Sequence, residues 1–193
     1  MKNYIDSDLL DKAVIENKQN KNFQKIIFLD IDGVLHDFTT DGFVKQDCIQ
    51  HLKQITDATG AELVLASSWR FGYPEFIQEN HLEEYTPEEN SSRLQYFQQL
   101  LKQAGLKLSG FTPYSQLWAN SRPLEIRRFL LDKPCTRSFV ILDDEDYDWQ
   151  WLREFLVQTR VPVGIHEDGM IKYRYGLNDS HVEKAIKILN RFD

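Results

Sequence analysis

Short apolar runs alternate along this chain with longer segments whose apolar residues recur every three or four positions, the pattern of strands laid between helices. Residues 25–31, KIIFLDI, are an apolar run broken by aspartate and followed by Gly33, which predicts a buried central strand ending in a polar loop. From 47 to 59, Ile49, Leu52 and Ile55 stand at helical spacing and Gly60 follows where a C-capping glycine belongs, so a crossover helix is expected. AELVLASSWR repeats the first pattern, with an apolar strand over 62–66 that stops at two serines, a tryptophan and an arginine. A β-α-β unit of this kind implies parallel pairing.

Residues 71–90 are polar and punctuated by Pro74 and Pro87, which predicts a loop with a short helix. Ser91 then caps a helix carrying Leu94, Phe97, Leu100, Leu101 and Ala104 on one face, with Gly105 at its end. KLSGFTPYSQLWAN reads as irregular. Ser121 is the expected N-cap of a helix with Pro123 in its first turn, which buries Leu124, Phe129 and Leu130 and leaves Arg122, Arg127 and Arg128 polar. SFVIL, residues 138–142, is a third buried strand, and it runs into Asp143, Asp144, Glu145, Asp146 and Asp148. A helix over 151–156, a weaker strand near Val157 and a last helix capped by Ser180, with Val182, Ala185, Ile186 and Leu189 inward, complete an α/β pattern.

The 193 residues suit one α/β domain with a substantial core, and 41% hydrophobic content is that of a globular chain rather than a disordered one. Residues 1–22 break every apolar group with charges and lack the continuous core of a signal peptide. They are expected as a polar leader, a short surface helix or mobile arm, ahead of one domain over 23–193. No run is long enough to span a membrane. A net charge of −7 argues against a broad cationic surface tracking a nucleic-acid backbone. Cys48 and Cys135 lie far apart, suggesting neither a zinc site nor a disulfide framework and fitting a reducing cytoplasm.

Chemistry concentrates where the strands end. Asp30 and Asp32 stand two apart in DIDGVL, and Gly33 lets the chain turn away. Two carboxylates at about 4 Å repel by roughly 4 kcal/mol at an effective dielectric near 20, so the pair calls for a cation or a shared proton. A calcium loop would continue with ligands at alternate positions, but Val34 and His36 follow here. Ser67 or Ser68 can donate a hydroxyl hydrogen bond to a phosphoryl oxygen, Ser67 being preferred as the first residue past the apolar strand, and Arg70 stands near enough to face phosphate. Arg122 offers a fixed positive charge at a helix start. Asp143 and Asp144, directly after a buried strand, suit a hard cation such as Mg²⁺.

Acidic pair, hydroxyl, cation and acidic pair, in that order, resemble the haloacid dehalogenase (HAD) superfamily, with IFLDIDGVL, LASSWR, SRPLEI and VILDDE as successive motifs. The closest likeness is to the HAD domain of Swiss Army Knife RNA repair proteins, which the VQT and GLNDSHVEKAIKIL segments also resemble. The resemblance implies a HAD-like Rossmannoid three-layer α/β/α domain with a central, mainly parallel sheet. It implies a Mg²⁺-dependent phosphatase in which Asp30 attacks phosphorus, Asp32 protonates the leaving oxygen and later activates water, and Ser67 and Arg122 grip the phosphoryl group. Asp30, Asp32, Asp143 and Asp144 would form the metal site, with Ser68 and Arg70 as substrate-binding residues. The position usually held by lysine in the superfamily is Arg122, which holds charge without exchanging a proton.

HAD enzymes commonly select substrates with an inserted cap domain. Only a short segment separates Asp32 from the first crossover helix, and residues 71–120 are too irregular for a second domain, so no large cap is expected. An open site suits a large substrate, and phosphate-bearing RNA or DNA ends lead as the substrate class, without a membrane partner. A small-metabolite phosphatase and a noncatalytic phosphate-end binding module are the alternatives. A receiver-like signalling domain would place its acidic pair after the first strand and its phosphoacceptor after a middle one, which this chain does not. Trp69, Tyr73, Trp118 and Trp149 are read as packing aromatics before base-stacking ones.

Overall fold

Five parallel strands make the central sheet of the computed structural model, in the order β3-β2-β1-β4-β5. They are β1 (Gln24–Leu29), β2 (Glu62–Leu65), β3 (Leu108–Phe111), β4 (Thr136–Asp143) and β5 (Leu156–Gln158). The structure describes residues 24–38, 43–82, 91–114, 121–133 and 136–191. The polar leader and the expectations for Pro87, Trp118 and Cys135 lie outside the described residues. Helices α1 (Gln46–Thr59), α2 (Pro74–Glu79), α3 (Ser91–Gln103), α4 (Arg122–Asp132) and α5 (Asp179–Leu189) surround the sheet.

β1 is the hinge of this arrangement. Its residues Ile26–Leu29 pair with Glu62–Leu65 on one side, and Ile26 to Leu29 pair with Phe139 to Leu142 on the other. Because a strand shows alternate residues to opposite faces, Phe28 and Phe139 share one face, where Phe129 of α4 meets Phe28 edge-on at 5.3 Å. On the opposite face Ser138 donates its hydroxyl to the Ile188 carbonyl, and Lys25 reaches Asn190, so α5 covers that side. Helices on both faces keep both sides of the sheet dry, which is why residues 26–29 of β1 read as an unbroken apolar run. The fold is the expected α/β one, with no large cap among the described residues.

Several expectations needed correction. KLSGF, read as irregular, supplies β3, whose Leu63–Leu108 and Leu65–Phe111 pairs extend the sheet. Its glycine and serine hid it, since both are poor strand formers and none of its four residues is fully buried. Residues 150–155 form a 3₁₀ helix, and an antiparallel hairpin of β6 (Val161–Ile165) and β7 (Ile171–Arg174), outside the central sheet, follows β5. The cap of α5 is Asn178, whose side-chain oxygen accepts from the backbone N–H of Ser180 and His181. Ser180 itself sits in the first turn.

α4 departs from the expected setting in its first turn, although Leu130 is buried and Phe129 packs on the core as expected. Leu124 is exposed, while Pro123, Glu125, Ile126 and Leu130 are buried. The reason is an ion pair. Glu125 Oε1 lies 2.6 Å from Arg70 Nη2, both side chains are only 5% exposed, and Thr112 Oγ1 donates to Glu125 Oε2 at 3.2 Å. This pair ties α4 to the turn after β2. Among the described residues no helix is long and apolar enough to cross a membrane.

Removing one member of a buried ion pair leaves the other desolvated and alone, which costs about 3–5 kcal/mol. Urea denaturation of Glu125→Leu should show a loss of that size. Adding Arg70→Met to the same chain should recover most of it; no recovery would mean that the guanidinium is not stranded by the first change.

Candidate active site

The chain leaves β1 for β2 in one direction and returns to β4 on its other side, so a crevice opens between the carboxyl ends of β1 and β4, the place where open α/β sheets bind ligands. Asp30 follows β1 there, with its N–H held by the Leu142 carbonyl at 3.0 Å. Asp143 is the last residue of β4 and Asp144 the next. Carboxylate oxygens of Asp30, Asp143 and Asp144 lie within 4.8 Å of one another, and all three residues are buried.

Arg122, the first residue of α4, enters this cluster from the side. Its Nη1 lies 2.6 Å from Asp30 Oδ2 and 2.7 Å from Asp143 Oδ2, with its guanidinium 5.7 Å from the Tyr147 ring. Asp143 Oδ1 accepts from the Glu145 N–H at 2.8 Å. Asp30 Oδ1 is buried without a hydrogen-bond partner.

Gly33 makes the approach possible. Its φ of +69° is the left-handed region, and a Cβ there would stand 2.3 Å from Asp144 Cγ, so only a residue without one lets the loop after β1 meet Asp144. The loop is then pinned from below: the Gly33 carbonyl accepts from Thr159 Oγ1 and the Gly176 N–H, each at 2.9 Å, and the Val34 carbonyl accepts from the Leu177 N–H at 2.8 Å.

Asp32 is placed differently from the expectation of a fourth metal-binding carboxylate. Its carboxylate is outside the group formed by the other three. Trp69 Nε1 donates to both its oxygens at 3.2 Å, and His36 Nε2 lies 2.7 Å from Oδ1. The Phe38 N–H donates to His36 Nδ1 at 3.2 Å, so Nδ1 is the acceptor and Nε2–H the donor to Asp32. The Asp32 side chain stays 42% exposed above the buried His36.

Ser67 is fully buried at the end of β2, where its Oγ accepts from the Trp69 N–H at 3.4 Å and caps the 3₁₀ turn Ser68–Gly72. Ser68 is exposed at the start of that turn. Arg70, expected to face phosphate, instead spends its guanidinium on Glu125 and on the Ser67 carbonyl at 3.0 Å, bracing the serine from behind. Trp149 and Tyr73 are core residues, at 1% and 8% exposure.

The family model for the HAD domain in Swiss Army Knife RNA repair proteins matches residues 26–170, which take in Asp30, Asp32, Ser67, Arg70, Arg122, Asp143 and Asp144. The chain belongs to that family. Comparison with curated proteins and with solved structures gave no match.

In this HAD domain the sequence reading did not single out His36, Gly176, Thr159 or the working part of Glu125. The signals were present but mute. His36 stands four residues after Asp32, and Thr159 and Gly176 lie inside the VQT and GLNDS segments, yet nothing in a linear pattern says that both reach the Gly33 carbonyl.

The donor set fits a small hard cation. Three carboxylates against one guanidinium leave two negative charges uncompensated in a buried place, each carboxylate pair repelling by about 3–4 kcal/mol at an effective dielectric near 20. Burial, with repulsion from Asp30, raises Asp143 to about 7, and burial, with Asp30 and Glu145, raises Asp144 to about 6. Burial opposes the charge of Arg122, but Asp30 and Asp143 outweigh it and hold the guanidinium firmly protonated. The two sides of that ion pair therefore differ, because one cation shared between carboxylates cannot offset the desolvation of Asp143.

Both aspartates bind protons more tightly in the folded chain than in the unfolded one. The metal-free protein should therefore lose stability as pH rises from about 4 to about 7 and then level off. A cation must displace those protons, so the rise in melting temperature on adding Mg²⁺ should be small at pH 5 and large at pH 8. Asp144→Asn should melt higher than the parent without metal at pH 8, by several degrees, and lose most of the Mg²⁺ shift. An equal shift in parent and variant would remove Asp144 from the metal site.

Proposed function

We propose that this HAD domain is a Mg²⁺-dependent phosphohydrolase that works through an aspartyl-phosphate on Asp30. The observation that carries the reading is Asp30 itself: one carboxylate oxygen is fixed by Arg122 while the other is buried, unpartnered and beside two further carboxylates. A structural aspartate would have both oxygens satisfied.

Asp30, Asp143 and Asp144 would hold the ion, which when bound neutralises the charge that otherwise keeps a carboxylate from an anionic phosphate. An Asp30 oxygen attacks phosphorus and the bond to the leaving oxygen breaks. Asp32, entering the step protonated, gives that oxygen its proton and then regains one from the water that attacks the phosphoryl group on Asp30, releasing phosphate and restoring both the Asp30 carboxylate and the Asp32 acid. Trp69 and His36 hold Asp32 in the orientation this exchange needs. Arg122 keeps its charge throughout and bears on the phosphoryl oxygens as charge spreads over them. The Ser67 hydroxyl accepts from Trp69 and keeps its own proton for a phosphoryl oxygen.

The family's description and the absence of a large cap among the described residues favour RNA or DNA ends carrying a terminal phosphate over a small metabolite. The free, buried Cys48 fits a reducing cytoplasm.

Hydrolysis of an aryl phosphate should require Mg²⁺, stop with EDTA, and fall by about 10³-fold or more in Asp30→Asn without loss of the fold. Phosphate binding without turnover in the parent would instead support a noncatalytic phosphate-end module.

A further inference from the structure

An aromatic arc runs round one side of the site, and beyond His36 none of the proposed chemistry uses it. It starts at His36, the partner of Asp32, whose ring meets Phe38 edge-on at 4.9 Å. Phe38 meets Tyr175 edge-on at 4.9 Å, and Tyr175 lies 6.3 Å from Tyr173 on β7. Arg160, at the base of the hairpin, places its guanidinium 4.8 Å over the Tyr173 ring and lies 3.9 Å from Glu145, the residue after Asp144. The arc therefore begins beside Asp32 and ends beside Asp144, the segments that bracket the proposed phosphoryl position.

Phe38 is the unusual member. It is 55% exposed and has a φ of +63°. A phenylalanine in the left-handed region costs roughly 1–2 kcal/mol, and core packing does not offset this for a ring more than half in solvent. Its two neighbours, His36 and Tyr175, each meet it near right angles. Cations gather at the same place: Arg160 and Arg174 stand at the base of the β6–β7 hairpin and Lys172 farther along it, whereas the acidic Glu167 and Asp168 stand at its far turn. In a chain of net charge −7, that ordering sets positive charge on the side of the hairpin nearest the site.

We propose that Phe38, flanked by His36 and Tyr175, is a stacking platform for the base of the terminal nucleotide whose phosphate enters at Asp30, with Arg160 and Arg174 meeting the adjoining backbone phosphates. An exposed flat ring beside cations is what single-stranded nucleic acid binds without reading sequence, because every base presents a π-face. The proposal rests on the phosphohydrolase reading for the position of the phosphate. It adds that the enzyme senses the presence of a base and not its identity.

The test compares a short phosphate-ended oligoribonucleotide with the same strand made abasic at its terminal residue, in parent, Phe38→Ala and Phe38→Trp proteins. Binding is read by fluorescence anisotropy in the Asp30→Asn background, so that turnover is not needed. The parent site should prefer the base-bearing strand by roughly 5- to 100-fold, the range of a single base–aromatic stack. Phe38→Ala should erase that preference and Phe38→Trp should keep it. No preference in the parent site, or one that survives Phe38→Ala, overturns the platform. Acetyl phosphate turnover by the protein with Asp30 intact reports separately on the phosphohydrolase reading: it can stand while the platform falls, and a base preference lost in Phe38→Ala can stand without turnover.

Discussion

Three buried carboxylates facing one guanidinium are the constraint around which the described structure is organised. Left to themselves, Asp30, Asp143 and Asp144 would move apart or protonate, and burial already pushes Asp143 and Asp144 toward the neutral form. They stay together because each is fixed at the end of a buried element. The β1–β4 pairing sets Asp30 against Asp143, and the start of α4 carries Arg122 between them. An arrangement unfavourable as a folding device becomes favourable when a cation binds, which is how a metal site stores affinity in a scaffold.

The supporting shell explains features that have no chemistry of their own. Gly33 removes the Cβ that would collide with Asp144, and Thr159, Gly176 and Leu177 fix the carbonyls of the same loop from two separate segments. The buried Arg70–Glu125 pair does similar service on the other flank, tying the turn that carries Ser67 and Trp69 to the helix that carries Arg122. Positions on the β1 side and the β2 side of the crevice are thus held by different devices, one of backbone hydrogen bonds and one of charge.

Asp32 stands apart from this cluster in both environment and partners. It is partly exposed and held by an indole N–H and an imidazole, whereas Asp30 is buried against Arg122. Two carboxylates two residues apart are thereby given different surroundings, the condition under which a carboxylate pair divides the work of nucleophile and proton carrier.

The amino-acid sequence by itself determined the strands of β1, β2 and β4, the crossover helix, and the family, because buried strands and their acidic ends are written in consecutive residues. It also brought Asp30, Asp143, Asp144 and Arg122 forward as candidates, since each sits at an element boundary that periodicity reveals. It missed β3, whose partial burial leaves little apolar signal, and in the first turn of α4 it buried Leu124 and not Glu125, because Glu125 looks like a solvent residue until Arg70, 55 positions earlier, is seen beside it. Only the tertiary structure decided that Asp32 lies outside the carboxylate cluster, that Arg70 braces rather than faces the site, and that Phe38 stands against Tyr175. Those facts depend on contacts between segments far apart in the chain, and local propensity carries no information about such contacts.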